Sequence, residues 1–312
     1  MTVTPVDGGP DYYSRFSHGL PTHKSYFPVG VWFESVTSQA DVDKDENAGL
    51  NLYVVATENS SLPLISSNNM KLIAQQSQWL NRETGPGADA MAGWELADEI
   101  DMMGSPEAGY GELTQILTSL PADRRLRYNN YGKGVAFWLT DAEAARYVNE
   151  FTDVVSADTY WFTDENICAG TEGGQLVAGG ADLSPAECHR AANYGATVRR
   201  VRGLVRPAGS KPVWAFVELG HPFNEAHYPT ITPVQVRAAV WQSLIAGARG
   251  MLRDGPDPTD AVIAEVLVST MSQSIAGGTD EIQRNILGEN ILGLPKEPSV
   301  DKGIPFRKVA RS

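Results

Sequence analysis

The chain has 312 residues, 42% of them apolar and 20% charged, with a formal net charge of -13. This is an ordinary globular balance, with room for one barrel-sized domain plus an appendage or for two small domains. The acidic charge argues against nucleic acid or an anionic membrane as the main partner and leaves neutral substrates open; no apolar run is long enough to span a bilayer, and the polar N-terminus has no signal-peptide core, so a soluble protein is expected, its compartment open.

Residues 1–25 read as a loosely ordered lead-in. The apolar run Phe27 to Phe33 is predicted as a first strand, Asp41 to Gly49 as a short helix and Asn51 to Ala56 as a second strand. Lys71 to Gln76 and Met91 to Leu96 follow as strands three and four. Tyr110 to Leu120 has helical spacing, Arg125 to Asn130 is strand five, and Asp141 to Phe151 is a helix with Asp141 as its N-cap. Val154 to Tyr160 is strand six. A Gly-rich loop, Ala169 to Leu183, lies between Cys168 and Cys188, which either pin it by a disulfide or stand unpaired. A helix from Pro185 to Val205, strand seven from Lys211 to Val217, a helix opened by Thr232-Pro233 and strand eight from Gly247 to Leu252 complete the series. Apolar runs alternating with helices predict a parallel sheet with crossover helices. Their number favours an α/β fold of the (β/α)8 TIM-barrel type over an open sheet, and no G-x-G-x-x-G follows strand one.

Barrels of this type carry their chemistry at the C-terminal strand ends. Those ends would collect Glu34, Glu58 and Asn59, Gln75 and Gln76, then Asp98, Glu99 and Asp101. Asn129, Asn130 and Tyr131 follow from strand five, Asp158, Tyr160 and Trp161 from strand six, and Glu218 and His221 from strand seven. Aromatic rings and amides beside carboxylates suit a sugar. Cleaving a glycosidic bond needs one protonated carboxyl as acid and one ionised carboxylate as nucleophile or base. His221 has no His or Cys neighbour at ligand spacing, so no metal and no cofactor is expected.

Three features carry a resemblance: Met91-Ala-Gly-Trp-Glu-Leu-Ala-Asp-Glu-Ile-Asp101, the strand ending in Glu218, and the opener Tyr26-Phe-Pro-Val-Gly-Val-Trp32. Residues 26–250 resemble clan-A-type, cellulase-like glycoside hydrolases. The resemblance implies a retaining (β/α)8 enzyme with Glu99 as acid/base and Glu218 as nucleophile. Asp98 stands where that family has Asn, and Ile100 where it commonly has Pro. Substrate contacts are then expected from Asp98, Asp101, Glu34, Asn129, Asn130, Tyr131, Asp158, Tyr160, Trp161 and His221.

The last sixty residues read differently. Gly277-Gly-Thr-Asp-Glu-Ile-Gln-Arg-Asn285, within Ser272 to Pro295, resembles the C-terminal end of acyl-CoA dehydrogenases. Residues 251–312 would thus be two apolar-striped helices, with Gly277 where some members carry a catalytic Glu, and too short a piece to hold a flavin. A hybrid chain is expected, in which this hairpin replaces the last barrel helix; projecting freely, it would drive self-association. The leading functional expectation is a glycosidase on a carbohydrate or other neutral substrate. An esterase using the same carboxylates is the first alternative, although no G-x-S-x-G is present. An inactive carbohydrate-binding barrel is the second.

Overall fold

The computed structural model describes residues 7–220 and 229–253. The apolar runs form eight strands: β1 (Val29–Trp32), β2 (Leu52–Val54), β3 (Lys71–Gln75), β4 (Met91–Glu95), β5 (Leu126–Tyr131), β6 (Val154–Ala157), β7 (Ala215–Val217) and β8 (Met251–Arg253). Every ladder between them is parallel, in the order β6-β5-β4-β3-β2-β1-β8-β7. The two end strands meet through one bridge, Val155 to Val213, where Trp214 N donates to Val155 O at 2.9 Å. The fold is therefore a (β/α)8 TIM-type barrel, nearly closed, with a thin seam between β6 and β7.

Helices return the chain from each strand to the next. They are α1 (Gln39–Asn47), α2 (Leu62–Ser67), α3 (Gln76–Trp79), α4 (Pro106–Ser119), α5 (Asp141–Glu150), α6 (Gly173–Val177), α7 (Pro185–Cys188), α8 (Ala192–Leu204) and α9 (Pro233–Ile245). Their starts are chemically specified. Ser38, Thr140 and Thr232 close capping boxes with Asp41, Glu143 and Gln235, satisfying donors that the first helical turn leaves open. Asp141 is the first helical residue rather than the cap, because Thr140 holds the extended backbone a cap requires. The single helix expected over Pro185 to Val205 breaks into α7 and α8 beside Cys188, which is joined to Cys168 in a disulfide. The bond settles the open question about the two cysteines.

The barrel interior is filled by inward residues of the strands, among them Leu52, Val54, Ile73, Leu126, Trp214 and Phe216. Inward Gly93 is required by close approach, since a Cβ there would lie 2.6 Å from Leu126. The lead-in is not loose from residue 7 onward: Tyr12 and Leu20 are buried in the same core. The Tyr12 hydroxyl donates to Asp153 O at 2.6 Å, and the Trp214 indole to the Tyr13 hydroxyl at 3.1 Å, so this segment floors the N-terminal end of the barrel. At the other end of the sequence, Met251–Arg253 is a barrel strand rather than the start of a tail. Residues 254–312, with the hairpin expected there, lie outside the described residues, as do 221–228 with His221. Among the described residues no helix is long and apolar enough to cross a membrane.

Candidate active site

The β4 loop is laced to the edge of β5. Leu96 N donates to Tyr128 O, Ala97 N to the Asn129 side-chain oxygen at 2.9 Å, and Glu99 N to Asn130 O at 3.0 Å. Closing this path puts Glu99 in the left-handed region, φ 48° and ψ 30°, a conformation that costs a side-chain-bearing residue of order 1 kcal/mol or more. Its half-buried carboxyl lies over Gly132, where a Cβ would come within 2.8 Å of Oε1.

Burial and the neighbouring Asp98 charge push the Glu99 carboxyl up to about 7, with Asp101 adding to the rise and Asp158 and Lys133 opposing it. The Asp158 side chain favours the ionised form of Glu99, so the rise comes from burial and the neighbouring negative charges. Asp98 accepts from Asn130 Nδ2 at 3.2 Å, and Asn130 Oδ1 accepts from Ser156, which meets the Tyr128 hydroxyl at 2.6 Å. Asp98 is exposed as a residue, but its carboxyl end is tucked in, and that burial raises it.

Glu218 follows β7 and is 1% exposed. Oε1 accepts from Phe162 N at 2.6 Å and from the Tyr194 hydroxyl on α8, while Oε2 accepts from the Thr163 hydroxyl. It thereby ties β7 to the β6 loop. Both glutamates therefore abut segments that follow β6, Glu99 through Asp158 and Glu218 through Phe162 and Thr163.

Several expected substrate contacts are occupied elsewhere. Tyr131 and Trp161 are fully buried; the Tyr131 hydroxyl donates to Tyr147 O at 2.9 Å and the Trp161 indole to Thr197 at 3.0 Å, so neither offers a face to a sugar. Asn129 is spent on Ala97 N and Asn130 O. Asp101 accepts from Gly132 N and Val135 N, pinning the β5 loop, and burial raises its carboxyl to about 6. Glu34 is buried and ion-paired with Lys44 at 3.5 Å. Tyr160 alone among the expected aromatics is half-buried, its ring 6.4 Å from that of Phe216.

Other residues were not singled out from the sequence. Glu95, the last residue of β4, is wholly buried in register with Gln75 and Tyr128. Among the described residues neither oxygen completes a hydrogen bond, and burial followed by the Asp98 charge raises it to about 8, with Gln75 opposing the rise. A charged residue inside an apolar strand was the available signal. Trp32 stands T-shaped to Phe216 at 6.0 Å. Phe33 is 56% exposed after β1, and Trp138, which ends a π-helical turn (Gly134–Trp138) after β5, is 49% exposed. One trio among the described residues has metal-ligand chemistry, Cys168, Cys188 and His189, but the two sulfurs are bonded to each other.

No family model matches the sequence. No curated protein matches it either. Solved structures similar to the chain include a glycoside hydrolase family 5 protein from Bacteroides vulgatus, 12% identical, TM-score 0.47, with 75% of this chain covering 60% of that one. Another is a protein from Bifidobacterium longum subsp. longum in complex with Manb1-4GlcNAc, 10% identical, TM-score 0.49, covering 79% of both chains. A third is an HpcH/HpaI aldolase from Desulfitobacterium hafniense, 12% identical, TM-score 0.40, covering 80% of this chain and 92% of that one. The chain thus spans about three fifths of the first of these proteins.

Proposed function

We propose that the barrel hydrolyses a glycosidic bond, with Glu99 as the general acid and Glu218 as the second carboxylate. One observation carries the reading: a half-buried carboxyl raised to about 7 by burial and the Asp98 charge, on a strained left-handed residue at the mouth of the barrel. Such a group still holds a proton near neutrality and can give it to a leaving oxygen. In the retaining version, Glu99 protonates the glycosidic oxygen as its bond to the anomeric carbon breaks. A Glu218 oxygen attacks that carbon and forms a glycosyl ester. Glu99, now ionised, takes a proton from water, which hydrolyses the ester and restores both groups. The substrate is a neutral carbohydrate, and this chemistry needs no cofactor.

The three donors on Glu218 favour a second version, in which Glu218 is an anchor for the β6 loop and water is the attacking group. The rate test begins with aryl glycosides whose phenols differ in acidity. Glu99→Gln should lose about 10²–10⁴-fold on a weakly acidic leaving group and far less on a strongly acidic phenol, which departs without a proton. A uniform loss across the series, or no turnover by the wild type on any glycoside, sinks the general-acid assignment. Turnover confined to aryl esters would move the protein to the esterase alternative.

A further inference from the structure

At the opposite, N-terminal face of the barrel is a cavity of about 450 Å³ at the start of β5. Its charge comes from Arg15, Arg124, Arg125 and Arg127 against Asp123 and Asp153. The two acids are already taken. Asp123 pairs with Arg125, which also donates to Met91 O, Glu83 O and Ala88 O. Asp153 holds Arg127 through both oxygens, at 3.0 and 3.1 Å. Arg15 and Arg124 are left as uncompensated cations. Arg15 spends its Nε on Tyr12 O and stacks on the Tyr12 ring, and Arg124 spends one Nη on Arg15 O. Neither makes an ion pair among the described residues, in a chain whose net charge is -13.

Trp94 backs the cavity at 1% exposure. The remaining wall is apolar, from Phe16, Leu117, Leu120 and Pro121. Two unpaired guanidiniums match the roughly two negative charges and three acceptor oxygens of a phosphate monoester, and the volume exceeds what an inorganic ion would fill.

We propose that this cavity binds a phosphate monoester borne on a small apolar group, with Arg15 and Arg124 holding the phosphate and Phe16, Leu117 and Leu120 covering the apolar body. The site is independent of the chemistry at the barrel mouth. Calorimetric titration of the full chain with phenyl phosphate tests it, beside inorganic phosphate and benzoate. The wild type should bind phenyl phosphate more tightly than either, and more weakly as salt rises. Arg15 and Arg124 are exposed, so Arg15→Gln/Arg124→Gln should keep the fold and weaken phenyl phosphate at least about tenfold. Absence of saturable binding by the wild type, or equal binding by the double arginine variant, overturns the site. Inorganic phosphate binding as tightly as phenyl phosphate overturns the apolar half, and benzoate binding more tightly overturns the phosphate.

Discussion

The ends of β4 and β7 each deliver a glutamate from an apolar strand, yet the two side chains meet opposite surroundings. Glu99 is half-buried on a strained backbone among Asp98, Asp101 and Asp158, and its proton is retained up to about pH 7. Glu218 is sealed from solvent, and its oxygens are filled by the Phe162 amide and the Thr163 and Tyr194 hydroxyls. Glu95 separates the two variables. It is as buried as Glu218 but completes no hydrogen bond among the described residues, and burial raises it to about 8. Three donors make Glu218 a tie between loops, whereas Glu95 has depth without them.

The largest expected effect is at Glu218. Replacing it by Leu orphans three buried donors and should cost on the order of 3–5 kcal/mol, read as a drop in the urea midpoint. Gln keeps an acceptor for Phe162 and Tyr194, and the Thr163 hydroxyl can rotate to accept, so Glu218→Gln should cost only about 1 kcal/mol. That makes Gln the informative variant for chemistry. A rate loss of roughly 10²-fold or more with a nearly unchanged midpoint supports the nucleophile; a rate within severalfold of wild type leaves Glu218 as an anchor.

Glu95 gives the next effect, through pH. Its folded-state value lies above its ordinary one, so its stabilising contribution is complete below about pH 4.5 and is lost as pH rises through about 8. The loss is on the order of 5 kcal/mol. Glu95→Gln should flatten the fall in urea stability between about pH 5 and pH 9, and parallel declines in the two proteins would rule this out. Catalysis should respond separately. If Glu99 must be protonated, the rate should fall as pH rises through about 7, and Glu95→Gln should leave that limb in place.

Backbone strain supplies a smaller term. Glu99→Gly removes the left-handed penalty and the clustered charge together, and should raise stability by about 1 kcal/mol while abolishing the acid. A stability gain paired with a rate loss marks a residue held in place for function. A variant less stable than wild type would show that Glu99 instead supports the loop.

Most strands were legible because they are short apolar runs between helical stretches (β5, with Arg127, Asn129 and Asn130, is the exception), and Glu99 and Glu218 because they follow such runs. What could not be read were properties set across strands. The positive φ of Glu99 comes from the lacing of Ala97 and Glu99 onto β5, which no local pattern specifies. Tyr131 and Trp161 stood among the expected substrate contacts, but helix residues Tyr147 and Thr197 accept their polar ends and draw both rings inside. The arginine cavity brings residue 15 beside residues 124–127, a neighbourhood created only by the floor of the barrel.

The smallest predicted effect concerns reach. Phe33 is bulky, exposed and at φ 60°, an arrangement that favours neither burial nor backbone energy. Trp138 is likewise exposed, at the end of a π-helical turn, a local irregularity common at functional sites. They follow β1 and β5, which stand four strands apart in an eight-strand ring and so lie across the mouth from each other. A single sugar at Glu99 would not touch both, but an oligosaccharide lying across the opening would. Each ring stacked on a sugar is worth about 1 kcal/mol, roughly fivefold in affinity. Phe33→Ala and Trp138→Ala should therefore each raise KM about fivefold on an oligosaccharide and leave KM on an aryl monosaccharide unchanged. Equal effects on both substrates would mean the rings shape the catalytic pocket, and no effect on either would leave them as surface residues without a part in binding.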